Sequence, residues 1–180
     1  MIYEVSGDIL LSQAAAIAHG VAPADTFQHG LASSLSRQWP AMSEEFQEWC
    51  HQTDPRPGNV WIWNGPESLR IICLLTQQTS SANHGHRAGQ AHIEYVNRVL
   101  KRLRQVVEQE AIASLALPRL ATGVGALEWS EVKPFIEHYL GDLPIPVYLY
   151  EQYHAGVAAE APDESLPEVE CVQNNSTSIP

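Results

Sequence analysis

Two glycine-containing segments hold the residue types that can do chemistry. Gly7-Asp8-Ile9-Leu10 follows a short apolar run at residues 2–5. Leu117-Pro118-Arg119-Leu120-Ala121-Thr122-Gly123-Val124-Gly125-Ala126-Leu127-Glu128-Trp129 follows a second run at 114–117 and leads into a helical pattern. A strand that ends in a glycine-rich turn and opens a helix lets backbone amides approach an anion. Glycine has no Cβ, and the first amides of a helix have no partner. A carboxylate just after the first strand can accept hydrogen bonds from an amine, such as the exocyclic amine of adenine. Together the two segments suggest a nucleotide diphosphate as ligand. Each has a plainer reading. Gly-Asp after a strand is ordinarily a turn, and Arg119 beside the second loop reads as a structural ion pair rather than a phosphate ligand.

The elements that must position these residues are legible. Residues 2–5 read as a strand; 14–21 fit a strand or a short helix, and a strand from about Ala15 is favoured because Gly20 and Pro23 follow soon after. Residues 30–38 read as a helix stopped by Pro40, and 41–52 as another, with Met42, Phe46 and Trp49 at helical spacing. Asp54-Pro55-Arg56-Pro57-Gly58 is a stiff turn. The β-rich runs 59–63 and 70–75 flank Asn64-Gly65-Pro66 and form a hairpin. Residues 77–89 are a long polar loop without periodicity, and such loops are often functional. The longest helix covers 91–110, with Ile93, Val96, Val99, Leu100, Leu103, Val106 and Val107 on one side. A strand at 114–117, a helix at 130–138 and a last strand at 146–150 follow. Strands alternating with helices imply an α/β fold, a three-layer α/β/α domain around a mixed sheet.

Composition narrows the classes. With 180 residues, 44% of them hydrophobic, the chain can bury one sizeable core. Mean hydropathy is -0.18, and no apolar run approaches the ~20 residues that span a bilayer. The first residues lack the basic start and apolar core of a signal peptide. Cys50, Cys73 and Cys171 are too few and too scattered for a disulfide framework, so they read as reduced thiols of a cytoplasmic protein. The net charge of -11 argues against non-specific duplex binding. Six carboxylates, Glu151, Glu160, Asp163, Glu164, Glu168 and Glu170, fall in residues 151–180, where there is no Lys or Arg. An anionic ligand would therefore rest on amides and helix dipoles rather than on a basic cluster. Residues 154–180 read as an acidic, disordered tail behind a domain at 1–153.

The two glycine segments, in this order and spacing, resemble those of the macrodomain family, the ADP-ribose-binding fold. The resemblance covers about residues 1–153. Within the family the chain is most similar to the branch with the terminal ADP-ribose protein glycohydrolase and the DNA ADP-ribosyl-glycohydrolase antitoxins. Leu127-Glu128-Trp129 after the glycine loop, Ala18-His19, and His29-Gly30-Leu31-Ala32 carry that likeness. The resemblance implies an ADP-ribosyl hydrolase acting on protein or nucleic acid, or alternatively a non-catalytic reader of ADP-ribose, monomeric and needing no cofactor. It implies that Asp8 binds the adenine amine and the Ile9 amide a ring nitrogen. Thr122, Gly123, Val124, Gly125 and Ala126 would wrap the diphosphate and distal ribose. Residues 27–30, with His29 and Gly30, would face them, and His19 would lie beside the site. Tyr148 or Tyr150 would pack near adenine, though either could be a core residue. Gly123 would tolerate no side chain, through close approach or a positive φ.

Where that branch carries a lysine before the long helix, alignment backward from the helix gives Gln90. Where some members carry an aspartate, Gly125 stands. Residues 74–100 contain no lysine at all. Glutamine cannot form a Schiff base. The remaining catalytic candidates are Asp25, which could orient water, and His86 and His92, which could move a proton near neutral pH. His84, His86 and His92 could in principle hold zinc, but without a nearby Cys or carboxylate they are read as no metal site.

Overall fold

The structure is a computed structural model that describes residues 1–80 and 88–160. His84, His86 and Cys171 lie outside the described residues. Among the described residues, eight strands, β1 (Ile2–Gly7), β2 (Ala16–Val21), β3 (Val60–Asn64), β4 (Arg70–Leu75), β5 (Gln77–Thr79), β6 (Ala88–Ala91), β7 (Leu115–Pro118) and β8 (Val147–Tyr153), alternate with four helices. The helices are α1 (Gly30–Gln38), α2 (Pro40–Thr53), α3 (Ile93–Gln109) and α4 (Trp129–Leu140). Six strands form one sheet in the order β1-β8-β7-β2-β4-β3. All its pairings are parallel except β3 with β4, the expected hairpin, which registers Val60 on Leu74 and Asn64 on Arg70.

Both faces of the sheet are covered, as the macrodomain fold requires, so its central strands are apolar throughout rather than alternating. In β4, Ile72 and Leu74 point to the α3–α4 layer, where Val96, Val99, Leu100, Leu103 and Val107 present one stripe. Ile71, Cys73 and Leu75 point the other way, onto Leu35, Met42 and Phe46 of α1 and α2. The resulting architecture is the three-layer α/β/α domain.

Two features depart from the sequence expectation. The loop after β4 is not featureless: β5 pairs antiparallel with β6 at its base. These strands are short and polar, so they leave no apolar alternation to read, and backbone pairing alone defines them. The second departure is at the end of the chain. His154–Ala159 does not leave the domain at 153. The His154 amide donates to Gly7 O (3.1 Å), the Asp8 amide to Val157 O (2.7 Å), and Ala159 packs with Val5, Ile9 and Tyr150. A Cβ on Gly7 would lie 2.8 Å from both Ala159 N and Val157 O, so glycine is required there for the segment to cross. Composition misread this stretch because its anchors, backbone hydrogen bonds and the Asp8 carboxylate on the Gly156 amide, leave no mark in the residue types of the stretch itself. No helix among the described residues is long and apolar enough to cross a membrane.

Candidate functional site

The carboxyl ends of the parallel strands open into one cleft made of two adjoining cavities. One, of about 370 Å³, lies over the ends of β1 and β8 and is lined by Gly7, Ile9, Leu10, Ser34, Tyr150 and Tyr153. The other, of about 200 Å³, lies over β2 and β7 and is lined by His19, Asp25, His29, Gln77, Arg119, Gly123, Val124 and Gly125, among others. Gly30, Leu31 and Pro118 line both. The cleft thus spans from the Gly-Asp turn to the glycine loop, at the place where open α/β sheets bind ligands. The start of α1 sits between the halves, and its unpaired amides suit an anion there.

Asp8, between the lining residues Gly7 and Ile9, is buried and lines neither cavity itself. Its Oδ1 accepts from the Leu10 amide (3.0 Å), and its Oδ2 from the Gly156 amide (2.9 Å). A carboxylate has about four lone-pair positions, so two bonds leave capacity for an amine. The side chain therefore holds the crossing segment and can still receive a ligand. Asp8→Ala is expected to weaken ADP-ribose binding by roughly 1–3 kcal/mol, the cost of a lost bond to a charged group. Calorimetry on this variant, with truncation after Tyr153 as its companion, separates the two duties. Unchanged affinity in a folded Asp8→Ala protein removes Asp8 from the ligand site.

The opposite wall is the turn between β2 and α1. Ala24 and Phe27 hold positive φ there (54° and 53°), a conformation that non-glycine residues keep only when bonded in place. Asp25 supplies the bonds. Its Oδ1 accepts from the Phe27 amide (2.9 Å) and its Oδ2 from the Ala22 amide (3.1 Å), while Gln47 of α2 donates to its carbonyl. Burial raises the Asp25 carboxyl above the usual carboxylate range, and the two amides act against that shift. Phe27 turns inward onto Phe46 rather than into the cleft.

His19 is buried at the floor of the cleft, with Nε2 3.3 Å from Cys73 Sγ, and burial pushes its pKa down to about 4. It is a neutral imidazole at neutral pH. Burial likewise raises the Cys73 thiol, and that of Cys50, so neither is a thiolate nucleophile. A histidine of unfolded pKa ~6.5 binds a proton in the unfolded chain before the native one. Stability should therefore fall as pH drops from about 6.5 towards about 4, by about 3 kcal/mol from this group. Asp25 acts with the opposite sign, since its raised carboxyl favours the native state as it protonates. Urea melts at pH 4.5–7 for wild type and His19→Gln test this. An equal pH slope in the two proteins would discard the assignment.

The glycine loop is built on packing. A Cβ on Gly125 would lie 2.6 Å from Ala121 O and 2.8 Å from Ala91 Cβ, and Gly125 O accepts the Ala91 amide (2.9 Å). The positive φ values belong to Ala121 and Ala126 (61° and 59°), not to Gly123, whose Cβ position meets nothing within 4 Å. Gly123 thus keeps only the close-approach reason for being glycine. Arg119 stacks over Trp129 (5.4 Å to the ring centroid) and pairs with Glu151 (3.4 Å), as its plainer reading expected, yet it also lines the cleft.

Of the sequence-derived residues, the structure brings Ile9, His19, Asp25, His29, Gly30, Gly123, Val124, Gly125 and Tyr150 to the cleft wall. Thr122 and Ala126 belong to the loop but do not line it; Thr122 Oγ1 donates back to Arg119 O (3.2 Å). Tyr148 stacks on Tyr3 (5.8 Å) away from the cleft. Gln90 is exposed on β6, and His92 is exposed at the start of α3 against Tyr95. Among the described residues no three His, Cys, Asp or Glu side chains gather as a metal site. The residue that sequence reasoning missed is Gln77. It is buried, lines the cleft, and donates from Nε2 to Gly89 O (3.1 Å). Counting forward from the unambiguous β4 strand, rather than back from α3 across a loop of uncertain length, would have found it.

No protein-family profile matches the chain. A DNA ADP-ribosyl transferase–DNA ADP-ribosyl glycohydrolase fusion protein of Thermosipho africanus is 29% identical over 157 residues, which is 81% of this chain and 40% of that protein. The chain thus spans about two fifths of the length of that relative. The macrodomain of Thermus aquaticus DarG superposes with a TM-score of 0.72 at 26% identity, covering 84% of this chain and 98% of that one. Thermosipho africanus DarTG in complex with ADP-ribose superposes at 0.72 and 25% identity, covering 90% of this chain and 43% of that one. The chain thus has the three-layer fold of the macrodomains and is similar in sequence and structure to the macrodomains of the DNA ADP-ribosyl glycohydrolases.

Proposed function

We propose that this protein binds ADP-ribose along the cleft and removes ADP-ribosyl groups from nucleic acid. The observation that carries the reading is the pair of adjoining cavities between the turn after β1, at Gly7, Ile9 and Leu10, and the glycine loop, in a chain related to DNA ADP-ribosyl glycohydrolases. Adenine lies over β1 and β8 beside Tyr150, with its amine on Asp8. The diphosphate lies at the start of α1, facing Gly123, Val124 and Gly125. The distal ribose lies over β2, near His19, Asp25 and Gln77. Hydrolysis at the anomeric carbon has oxocarbenium character, so positioning of water and nearby negative charge, including the ligand's own diphosphate, lower its barrier. The acting unit is the domain of residues 1–160, in solution as a monomer.

Incubating the protein with ADP-ribosylated DNA and ADP-ribosylated protein, with ADP-ribose release and calorimetry in parallel, tests this directly. Tight binding without release from either substrate leaves a reader and ends the hydrolase reading. Absence of binding ends both.

The place for a lysine is Gln77 rather than Gln90. Gln77→Lys should raise release by at least about tenfold, because a buried amine has a lowered pKa and becomes nucleophilic. Gln90→Lys, on an exposed strand, should change it little. The reverse order of effects in the release assay would return the lysine position to Gln90.

A further inference from the structure

The described residues carry nine Lys and Arg side chains in a strongly acidic chain, and they are not evenly placed. Arg70, Arg104, Arg119 and Lys133 are neutralised in ion pairs. Arg37 bonds Ser33 within α1. The other four, Arg56, Arg98, Lys101 and Arg102, are exposed and form no ion pair among the described residues. All four gather where the turn at residues 54–59 meets the solvent face of α3. The Arg98 side chain lies against Gly58, Arg102 donates to Asn59 Oδ1, and Lys101 stands one turn from Arg98. An unneutralised cation cluster on an otherwise acidic surface is a local attraction for polyanions.

Its position gives that charge a direction. Gly58 donates to Leu75 O (2.7 Å) and Leu75 to Asn59 O (3.0 Å), which places the turn at the carboxyl end of β4. Gln77, two residues beyond Leu75, lines the cleft. Along the order β1-β8-β7-β2-β4-β3, the adenine end of the cleft is at β1, and the distal end faces β4 and β3. A group attached to the distal ribose therefore leaves the cleft towards this patch. We propose that Arg56, Arg98, Lys101 and Arg102 form the docking surface for the phosphodiester backbone of the single strand that carries the ADP-ribosyl group. The inference rests on the functional reading above and adds to it the surface that selects nucleic acid over protein.

The probe is a short single-stranded oligodeoxynucleotide bearing one ADP-ribosyl group, compared with free ADP-ribose and with an ADP-ribosylated acidic peptide. The readout is kcat/KM for release, or Kd for a protein that binds without release, over a salt series. Replacing all four cations with Ala should reduce the oligonucleotide term by about tenfold or more at low salt. The log–log salt slope should become shallower by about 3, at ~0.7 per phosphate contact on a single strand. Affinity for free ADP-ribose should hold. Lys101→Glu alone, an exposed change on α3, should shift both readouts in the same direction and guards against a folding defect. An unchanged oligonucleotide term and slope would overturn the inference, as would an equal loss on the peptide. Wild type that binds free ADP-ribose no more weakly than the oligonucleotide conjugate would overturn it while leaving the function intact. Wild type that binds no ADP-ribose would remove the functional reading itself.

Discussion

Gly125→Val is expected to abolish ADP-ribose binding, by more than about 100-fold, or close to 3 kcal/mol. The reason is protein-internal. A Cβ at this position meets a backbone carbonyl at 2.6 Å and a buried side chain at 2.8 Å, so neither can swing aside. Overpacking of this kind costs about 1–3 kcal/mol and displaces backbone. Here the displaced backbone also holds the Ala91 amide and forms the cleft wall, so the start of α3 moves with it. Gly123→Val is the informative contrast. Its side chain meets no protein atom, so stability should change by no more than about 0.5 kcal/mol, as at ordinary surface sites. A loss of ADP-ribose binding in that variant then reports contact with the ligand. Calorimetry with thermal melting separates the cases. Gly125→Val with native affinity would show that the phosphates lie elsewhere, and Gly123→Val with native affinity would exclude close backbone approach.

Asp25→Ala should be the most damaging change outside the hydrophobic core. It leaves the Ala22 and Phe27 amides without their acceptor and releases a turn that holds two non-glycine residues at positive φ. Each buried unsatisfied donor costs about 1–3 kcal/mol, so a loss of roughly 2–4 kcal/mol is expected. For a domain of this size that lowers Tm by about 5–15 °C. ADP-ribose affinity should fall with it, because His29, Gly30 and Leu31 follow directly from this turn and line the cleft. Asp25→Asn keeps one acceptor oxygen and should show an intermediate loss. If Asp25 also orients the attacking water, the Asn variant loses kcat beyond its loss in affinity. A native Tm in Asp25→Ala would show that the turn is held without the carboxylate.

Much of this was legible before any coordinates. Met42, Phe46 and Trp49 at helical spacing marked α2, and the stripe from Val96 to Val107 marked α3. The hairpin around Gly65 marked the one antiparallel pairing of the six-stranded sheet. Each is a local pattern, set by the period of the element and the side it buries. The Gly-Asp turn and the glycine loop were legible for the same reason, since both depend on residue type at a fixed offset from a strand end. Their order along the chain, with no further geometry, carried the resemblance to the macrodomains.

Only the tertiary structure decided which of these residues share a cavity. Gln90 and Gln77 are equally polar and lie at the two ends of one loop, and counting back from α3 reaches the first whereas counting forward from β4 reaches the second. The β5–β6 pairing resolves it by turning Gln90 outward and holding Gln77 over the cleft. Composition likewise marked residues 154–160 as tail. The carboxylate of Asp8, some 150 positions earlier, fastens them through the Gly156 amide. Tyr148 and Tyr150 lie two apart on one strand, and only the neighbours present determine that Tyr148 stacks on Tyr3 while Tyr150 borders the cleft. In every case the deciding interaction is a backbone hydrogen bond or a contact between distant segments. Such interactions are specified by the whole folded chain and leave no local periodicity in the sequence that makes them.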